Sequence, residues 1–572
     1  MAEPTIVAGS GLRQRLVAWL ATVSKYGWPF ASFLIAALIS TPIIVVVASV
    51  GGDSEGVWRH LVETRLAIYL KNTVVLAVGV SLICLVIGVV CAWAVTLCQF
   101  PGKQFFSWAL LLPLAVPTYL IAYAYTDLLQ FSGPLQTWLR EFFGWTRGEY
   151  WFPDVRSLPG AIVMLSAVLY PYVYLAARAA FVEQSVCVLE ASRTLGMNPW
   201  RSFFRVALPL ARPSVAAGLL LVVMETIAEF GAVDYCAVDT FATGIYRTWM
   251  AHGSITGAAQ LSSCLLMIIL AVVVLEKFLR RRARHYQMTY RYRELPTWHL
   301  RGWSCSLAIF VCSMPILVGF ILPATLFAYK AWQFGDPQSS ELLKLGTHTF
   351  SLAVVASLLA VALALIIAYG KRLRSTPVMN LSAIVAGLGY AVPGGVIAIG
   401  ILIPLVWFDQ QLADFLQSLF RRPIPLLLSG TVVAMIFGYQ VRFMAVALNV
   451  TDSGLARIRP SLDDAARTLG ASGARTLMRV HLPLIYGSLL AAVLLVFVDV
   501  AKELPATLIL RPFDFDTLAV RVYQLASQER LAEASTGALA IILVGLIPVI
   551  LISRGIHRSR PGSSFGALDN SI

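Results

Sequence analysis

Apolar residues run along this chain in long stretches, separated by short polar segments. Each stretch reaches the roughly 20 residues that a helix needs to cross hydrocarbon. The pattern predicts about twelve spans, near residues 29–50, 72–98, 105–131, 159–183, 208–236, 257–279, 304–328, 346–370, 378–408, 426–449, 483–510 and 533–553. Composition agrees: of 572 residues, 58% are hydrophobic and 13% are charged, against about 25% charged in a soluble domain. The fold class expected is therefore an all-α integral membrane protein. Arg13, Arg15 and Lys25 precede the first run. A signal peptide has a shorter charged region and a shorter apolar core, so the first run is expected to stay as a span.

The formal net charge of +14 would suggest nucleic acid in a soluble protein, but no basic-aromatic module occurs. The excess sits instead in alternate loops. With an even number of spans, the N-terminal segment, Lys103, Arg280 to Arg284, Lys371 to Arg374, and Arg554, Arg558 and Arg560 share one side. The opposite loops hold acids such as Asp53, Glu141, Asp154, Asp336, Asp409 and Asp514. The Lys/Arg bias places both termini in the cytoplasm, here of a bacterial inner membrane. The eight cysteines form no CxxC, and Cys84, Cys91 and Cys98 recur every seven residues on one helical face. They read as small buried apolar residues rather than ligands. The seven histidines are scattered, and no stable metal site is expected.

An internal repeat organises the chain. Glu190-Ala-Ser-Arg-Thr-Leu-Gly196 returns 274 residues on as Asp464-Ala-Ala-Arg-Thr-Leu-Gly470, and Arg205-Val-Ala-Leu-Pro209 as Arg479-Val-His-Leu-Pro483. Ala115-Val-Pro117 echoes Ala391-Val-Pro393, Glu229 echoes Glu503, and Arg247 echoes Arg521. The expected organisation is a first repeat over 1–279, a basic linker over 280–302, a second repeat over 303–553 and a tail over 554–572. An even number of spans per repeat leaves the two parallel, with the path between them. The repeated motif falls in polar segments near 185–207 and 455–481, each a short helix closed by glycine. Leu-Pro then opens the next span, since proline is tolerated in a first helical turn.

This pattern of an acid, two small residues, a glycine six positions after the acid and a Leu-Pro thirteen beyond the glycine resembles the coupling loop of ATP-binding-cassette importer permeases. Two copies make the resemblance specific, and it covers nearly the whole chain in the form with two fused permease halves. It implies that Glu190, Ala191 and Gly196, with Asp464, Ala465 and Gly470, dock two copies of a cytoplasmic ATPase. It also implies a periplasmic binding protein and a single permease chain per complex. No Gly-x-x-x-x-Gly-Lys-Ser/Thr loop occurs, so this chain is expected to bind no cofactor and to rely on ATP used by its partner. No GxSxG or HExxH set points to an enzyme.

Cargo is addressed by acids in the fifth span of each repeat. Glu225 and Glu229 are four residues apart, as are Asp499 and Glu503, so each pair shares a helical face. Pro209 to Glu229 is a rise of about 30 Å, which places the acids toward the outer end. Ionisable groups in a span are expensive and mark function or an ion pair; Lys502, Arg178 and Arg442 are candidate partners. The segments 224–236 and 241–249 resemble ferric-iron importer permeases. A hard Fe(III) ion prefers oxygen ligands, and Glu225, Glu229, Asp234, Tyr235, Asp499 and Glu503 would supply them. A thiamine or phosphonate permease shares the fused plan, and an ion-gradient-driven carrier would use similar buried acids. A carrier, however, needs no repeated coupling loop.

Overall fold

The computed structural model describes residues 10–146, 148–183, 194–280, 298–334, 339–421 and 427–558. Among them, eleven helices are long and apolar enough to cross a membrane. A pair bent by 89°, Lys103–Ala115 and Thr118–Phe143, makes a twelfth if it is one span. The only strands among the described residues are Cys98–Gln99 and Trp298–His299, two residues each and parallel. The all-α membrane class expected from hydropathy is the class found.

The chain packs as two compact units, each drawn from both sequence repeats. The first comprises Met1–Val45, Ser351–Val392 and Gly400–Val500; the second comprises Val46–Phe350, Pro393–Ile399 and Ala501–Ile572. In the second unit, helices Leu66–Leu97 and Leu158–Glu183 pack against each other, with Gly79 facing Ile162 and Gly88 facing Val173. A Cβ on Gly88 would lie 2.7 Å from the Cβ of Val173, so only glycine lets the two backbones come this close. Cys84, Cys91 and Cys98 are fully buried, and the Cys84 thiol donates to the Ser166 carbonyl at 3.7 Å.

Several span boundaries differ from expectation, and the causes are local. The stretch expected as one span over 105–131 breaks at Val116-Pro117, and the one expected over 378–408 breaks at Val392-Pro393. Val116 (φ −95°, ψ 117°) and Val392 (φ −94°, ψ 127°) are extended, because proline drives the residue before it out of the helical region. After the second break, helix Gly394–Phe420 runs on well past residue 408. It therefore takes in Asp409, which was expected in an outer loop. Asp409 is fully buried. It accepts N–H bonds from Leu427, Leu428 and Ser429 at 2.8, 3.0 and 2.7 Å and the Ser429 hydroxyl at 2.6 Å.

The spans expected over 208–236 and 483–510 stop at Ala228 and Ala501, and short helices Gly231–Tyr235 and Pro505–Leu510 follow. Both spans are preceded by a π-helical turn, Phe203–Ala207 in one repeat and Leu477–His481 in the other, again 274 residues apart. Such turns recur at functional sites, and hydropathy gives no sign of them.

Candidate coupling and translocation sites

Helix Pro460–Thr468 carries the second copy of the repeated motif. Pro460 occupies its first turn, where a missing N–H costs nothing. Gly470 ends it at φ +73°. The Ala471 N–H reaches the Ala466 carbonyl at 2.9 Å and the Gly470 N–H reaches Arg467 at 3.0 Å, which is a Schellman closure. Asp464 and Ala465 are exposed, with Asp464 only 3.5 Å from Arg467 across one turn. In the first copy, Glu190 and Ala191 lie outside the described residues. Gly196 is described, exposed, and has the same φ of +73°. A left-handed φ strains any residue with a Cβ, which accounts for glycine at both positions.

Two features of this helix escaped sequence reasoning. Leu469 is 87% exposed and its repeat partner Leu195 is 76% exposed. Each is an apolar side chain on an otherwise polar segment, and its identity in both copies was the available signal. The second feature is an ionic latch on the inward face, within the first unit. Arg372 donates to one oxygen of Asp463 through Nη2 at 2.7 Å and Nε at 3.1 Å. It also reaches the carbonyls of Leu455 and, at 3.0 Å, Ile458. The other Asp463 oxygen lies 3.0 Å from Nε2 of the fully buried His481. The Tyr369 hydroxyl donates to the Gly473 carbonyl at 2.8 Å. These contacts bolt the motif helix to spans Glu341–Leu373 and Gly473–Ala501. On the register set by the echoed Val-Pro, Arg372 corresponds to Thr96, and the residues 274 positions before Asp463 and His481 are Leu189 and Ala207, so the first repeat has no charged group at any of these three positions.

The candidate cargo residues fall in several places. Glu225 is half-buried within helix Leu208–Ala228, and Asp499 is half-buried in helix Leu482–Ala501 of the first unit. Glu229 and Glu503 sit just beyond the ends of those two helices, in the second unit. Each carboxylate folds forward to cap the next short helix. Glu229 Oε1 accepts the Ala232 N–H at 2.9 Å, and Glu503 Oε1 accepts the Ala506 N–H at 3.1 Å. A carboxylate here satisfies an N–H that a helix start leaves open. That role terminates both spans earlier than their apolar length suggests. Glu229 Oε2 also accepts the Thr118 hydroxyl at 2.5 Å. Gly231 packs tightly in this break: a Cβ on it would lie 2.8 Å from the Cβ of Tyr119 and 2.9 Å from Leu504. The loops that follow Glu229 and Glu503 thus meet the start of helix Thr118–Leu129.

Asp234 and Tyr235 lie on helix Gly231–Tyr235 in the same unit. Asp234 accepts from the Tyr523 hydroxyl at 2.9 Å and from Arg247 at 3.2 Å. Arg247 also pairs with Asp239, which holds Arg65 at 3.2 Å. Burial opposes the Arg247 charge, but Asp234 and Asp239 outweigh it and raise its pKa. Burial, reinforced by Asp234, pushes the Tyr523 phenol well above its ordinary range. The Tyr235 ring packs 4.5 Å from Tyr123 and lies 4.9 Å beneath the Arg156 guanidinium. Arg156 pairs with Glu529 at 3.1 Å, and both line a cavity of about 510 Å³ with Gln136, Tyr150, Phe152 and Asp154. Of the candidate cation partners, Arg178 donates to the Ser107 carbonyl at 2.8 Å. Among the described residues no group of three or more His, Cys, Asp and Glu is placed to hold a metal ion.

Comparison with known proteins follows the same division of the chain. The family described as binding-protein-dependent transport system inner membrane component matches twice, over residues 84–285 and 360–559. The Fe(3+)-transport system permease protein FbpB 2 of Haemophilus influenzae is 27% identical, over 92% of this chain and 98% of its own length. The ferric transport system permease protein FbpB of Actinobacillus pleuropneumoniae is 23% identical, over 91% of this chain and 77% of its own. The molybdenum transport system permease protein ModB of Escherichia coli is 30% identical over 33% of this chain and 81% of its own.

Proposed function

This chain belongs to the family of binding-protein-dependent transport system inner membrane components, and on that premise we propose that it is the fused permease of an ATP-driven importer for ferric iron. The observation that carries the cargo is the end-to-end match to a ferric permease, over 92% of this chain and 98% of that relative. The paired carboxylates Glu229 and Glu503 support it. Their charge suits a cation and repels the oxyanion that a molybdenum permease would carry. Separate ATPases dock on the two motif segments, a periplasmic binding protein delivers iron to the opposite face, and both termini lie in the cytoplasm. The chain itself hydrolyses nothing and binds no cofactor of its own.

Reconstitution tests this reading. Proteoliposomes holding this chain with its ATPase are expected to accumulate iron from a ferric-loaded binding protein only when ATP is supplied. Iron uptake that ignores ATP and follows a pH gradient would make it a carrier, and ATP-driven molybdate uptake would overturn the cargo. The two motif copies already form the pair that two ATPase subunits require. The mass of the active complex should therefore correspond to one permease chain and two ATPase subunits. A complex with two permease chains contradicts that count.

Docking is tested by Glu190→Ala with Asp464→Ala. The double variant should insert normally, lose the ATPase on purification and lose uptake. Asp464 is exposed, so its replacement should disturb the fold by no more than about 0.5 kcal/mol. Retained ATPase together with retained uptake would remove the coupling assignment.

A further inference from the structure

Buried hydroxyls in this protein mostly find partners. Tyr170 donates to the Leu110 carbonyl at 2.9 Å, Tyr174 to Ser107 at 2.8 Å, and Tyr125 to Val318 at 2.6 Å. Three hydroxyls on helix Thr118–Leu129 do not. Tyr119, Tyr123 and Thr126 are 4%, 0% and 0% exposed, and their oxygens have no hydrogen-bond partner among the described residues. Their spacing of four and three residues puts them on one helical face, extending about 10 Å along the axis. Tyr125, whose hydroxyl is satisfied, points to another face of the same helix.

An unpartnered buried hydroxyl is costly and calls for a reason such as a transient ligand. The surroundings supply one. Glu229 accepts the hydroxyl of Thr118, the neighbour of Tyr119, and Gly231 sits between the Tyr119 side chain and Leu504, the residue after Glu503. The Tyr119 and Tyr123 rings are 5.8 Å apart, and Tyr123 is 4.5 Å from Tyr235. Tyr235 in turn lies under Arg156, which lines the large cavity. Phenol-bearing side chains therefore lead from the cavity toward the breaks that carry the two carboxylates, all within one unit.

We propose that the Tyr119–Tyr123–Thr126 face is a transit strip, whose hydroxyls and the carboxylates of Glu229 and Glu503 successively replace water around a hard, multiply charged cation. The inference rests on the ferric-iron reading above and adds the residues that make the passage. Phenol and hydroxyl oxygens can both donate and accept, so they ligate a hard cation or its bound water without holding a permanent charge. Hard cations favour such oxygen donors. Conduction needs sites weak enough to release, which neutral hydroxyls provide better than a closed ring of carboxylates. The strip also belongs to one repeat alone. Aligned on the echoed Val-Pro, the second repeat has Gly395, Ile399 and Leu402 at the three positions. A hydroxyl row required to pack the shared fold would recur there.

The test is Tyr119→Phe with Tyr123→Phe, which keeps both rings and removes both hydroxyls; Thr126→Val is made separately. Each variant is assembled with its ATPase in proteoliposomes and supplied with a ferric-loaded binding protein. Iron uptake and ATP hydrolysis stimulated by that protein are measured together. The double variant is expected to hydrolyse ATP at close to the unsubstituted rate while uptake falls roughly tenfold, and Thr126→Val to fall less, since one hydroxyl contributes less than two. Unchanged uptake in the double variant overturns the strip. So does a parallel fall of uptake and hydrolysis, which assigns the hydroxyls to assembly. An unsubstituted chain that moves another hard cation overturns the ferric reading alone, and the same variants then test the strip on that cation. Transport of an oxyanion overturns both.

Discussion

Replacing Glu229 and Glu503 together by glutamine is expected to leave the protein inserted and the ATPase bound, while ferric-iron uptake falls by about two orders of magnitude. The argument is geometric. Each carboxylate uses Oε1 to accept the N–H three residues ahead, from Ala232 and Ala506. A glutamine carbonyl oxygen can make the same bond, so both helix starts should survive. What disappears is two negative charges at the breaks, which meet the start of helix Thr118–Leu129. In a site sheltered from water, one opposite charge about 4 Å from a cation contributes several kcal/mol, so a hundredfold effect, about 2.7 kcal/mol, is a modest share. Glu229→Gln alone should retain part of the uptake. Uptake at the unsubstituted rate in the double variant would leave the two acids as helix caps only. A loss of uptake that tracks a loss of folded protein would give the same answer.

Arg372→Ala carries the second large effect. Arg372 and Asp463 are nearly buried, with side chains 15% and 14% exposed. Removing the cation strands Asp463 beside His481 and frees two carbonyls. Breaking a buried pair from one side costs about 3–5 kcal/mol, and the residual exposure places this one at the lower end. The expected result is a lower melting temperature and, in reconstituted complexes, ATP hydrolysis that no longer drives uptake, because the motif helix is no longer tied to its spans. The matching control is Arg372→Met with Asp463→Leu and His481→Ala, which replaces the ionic set by apolar side chains. Replacing a buried ionic set by apolar groups is often neutral, so the triple variant should recover stability. A single variant as stable as the parent would show that the latch holds nothing.

Class and the presence of two repeats were legible because they depend on sums over many residues. Hydropathy over about 20 positions announces a span whatever its neighbours are, and about twelve were expected where the described residues hold eleven and one bent pair. A motif that recurs with its flanking Arg and Leu-Pro needs no coordinates to be noticed. The glycines at φ +73° were readable too, since a helix closed by glycine is a local event.

What only the tertiary structure decided depends on residues far apart in sequence. Apolar length placed the ends of two spans at 236 and 510, but carboxylates that cap the following helices end them at Ala228 and Ala501. The breaks at Pro117 and Pro393 stood in plain view as repeated Val-Pro pairs, yet hydropathy averages across a single proline. Arg372, Asp463 and His481 are separated by up to 109 positions, and no periodicity links them; packing alone makes them a latch. The acids Glu225, Glu229, Asp499 and Glu503 looked equivalent by spacing, but the fold places Asp499 in one compact unit and the other three in the other. The hydroxyls of Tyr119, Tyr123 and Thr126 carry no motif at all. By sequence they are ordinary members of an apolar helix, and their standing comes from the partners that the fold withholds from them. A hydrogen bond left unmade is a property of the surroundings, and a chain of residues specifies those surroundings only once it has folded.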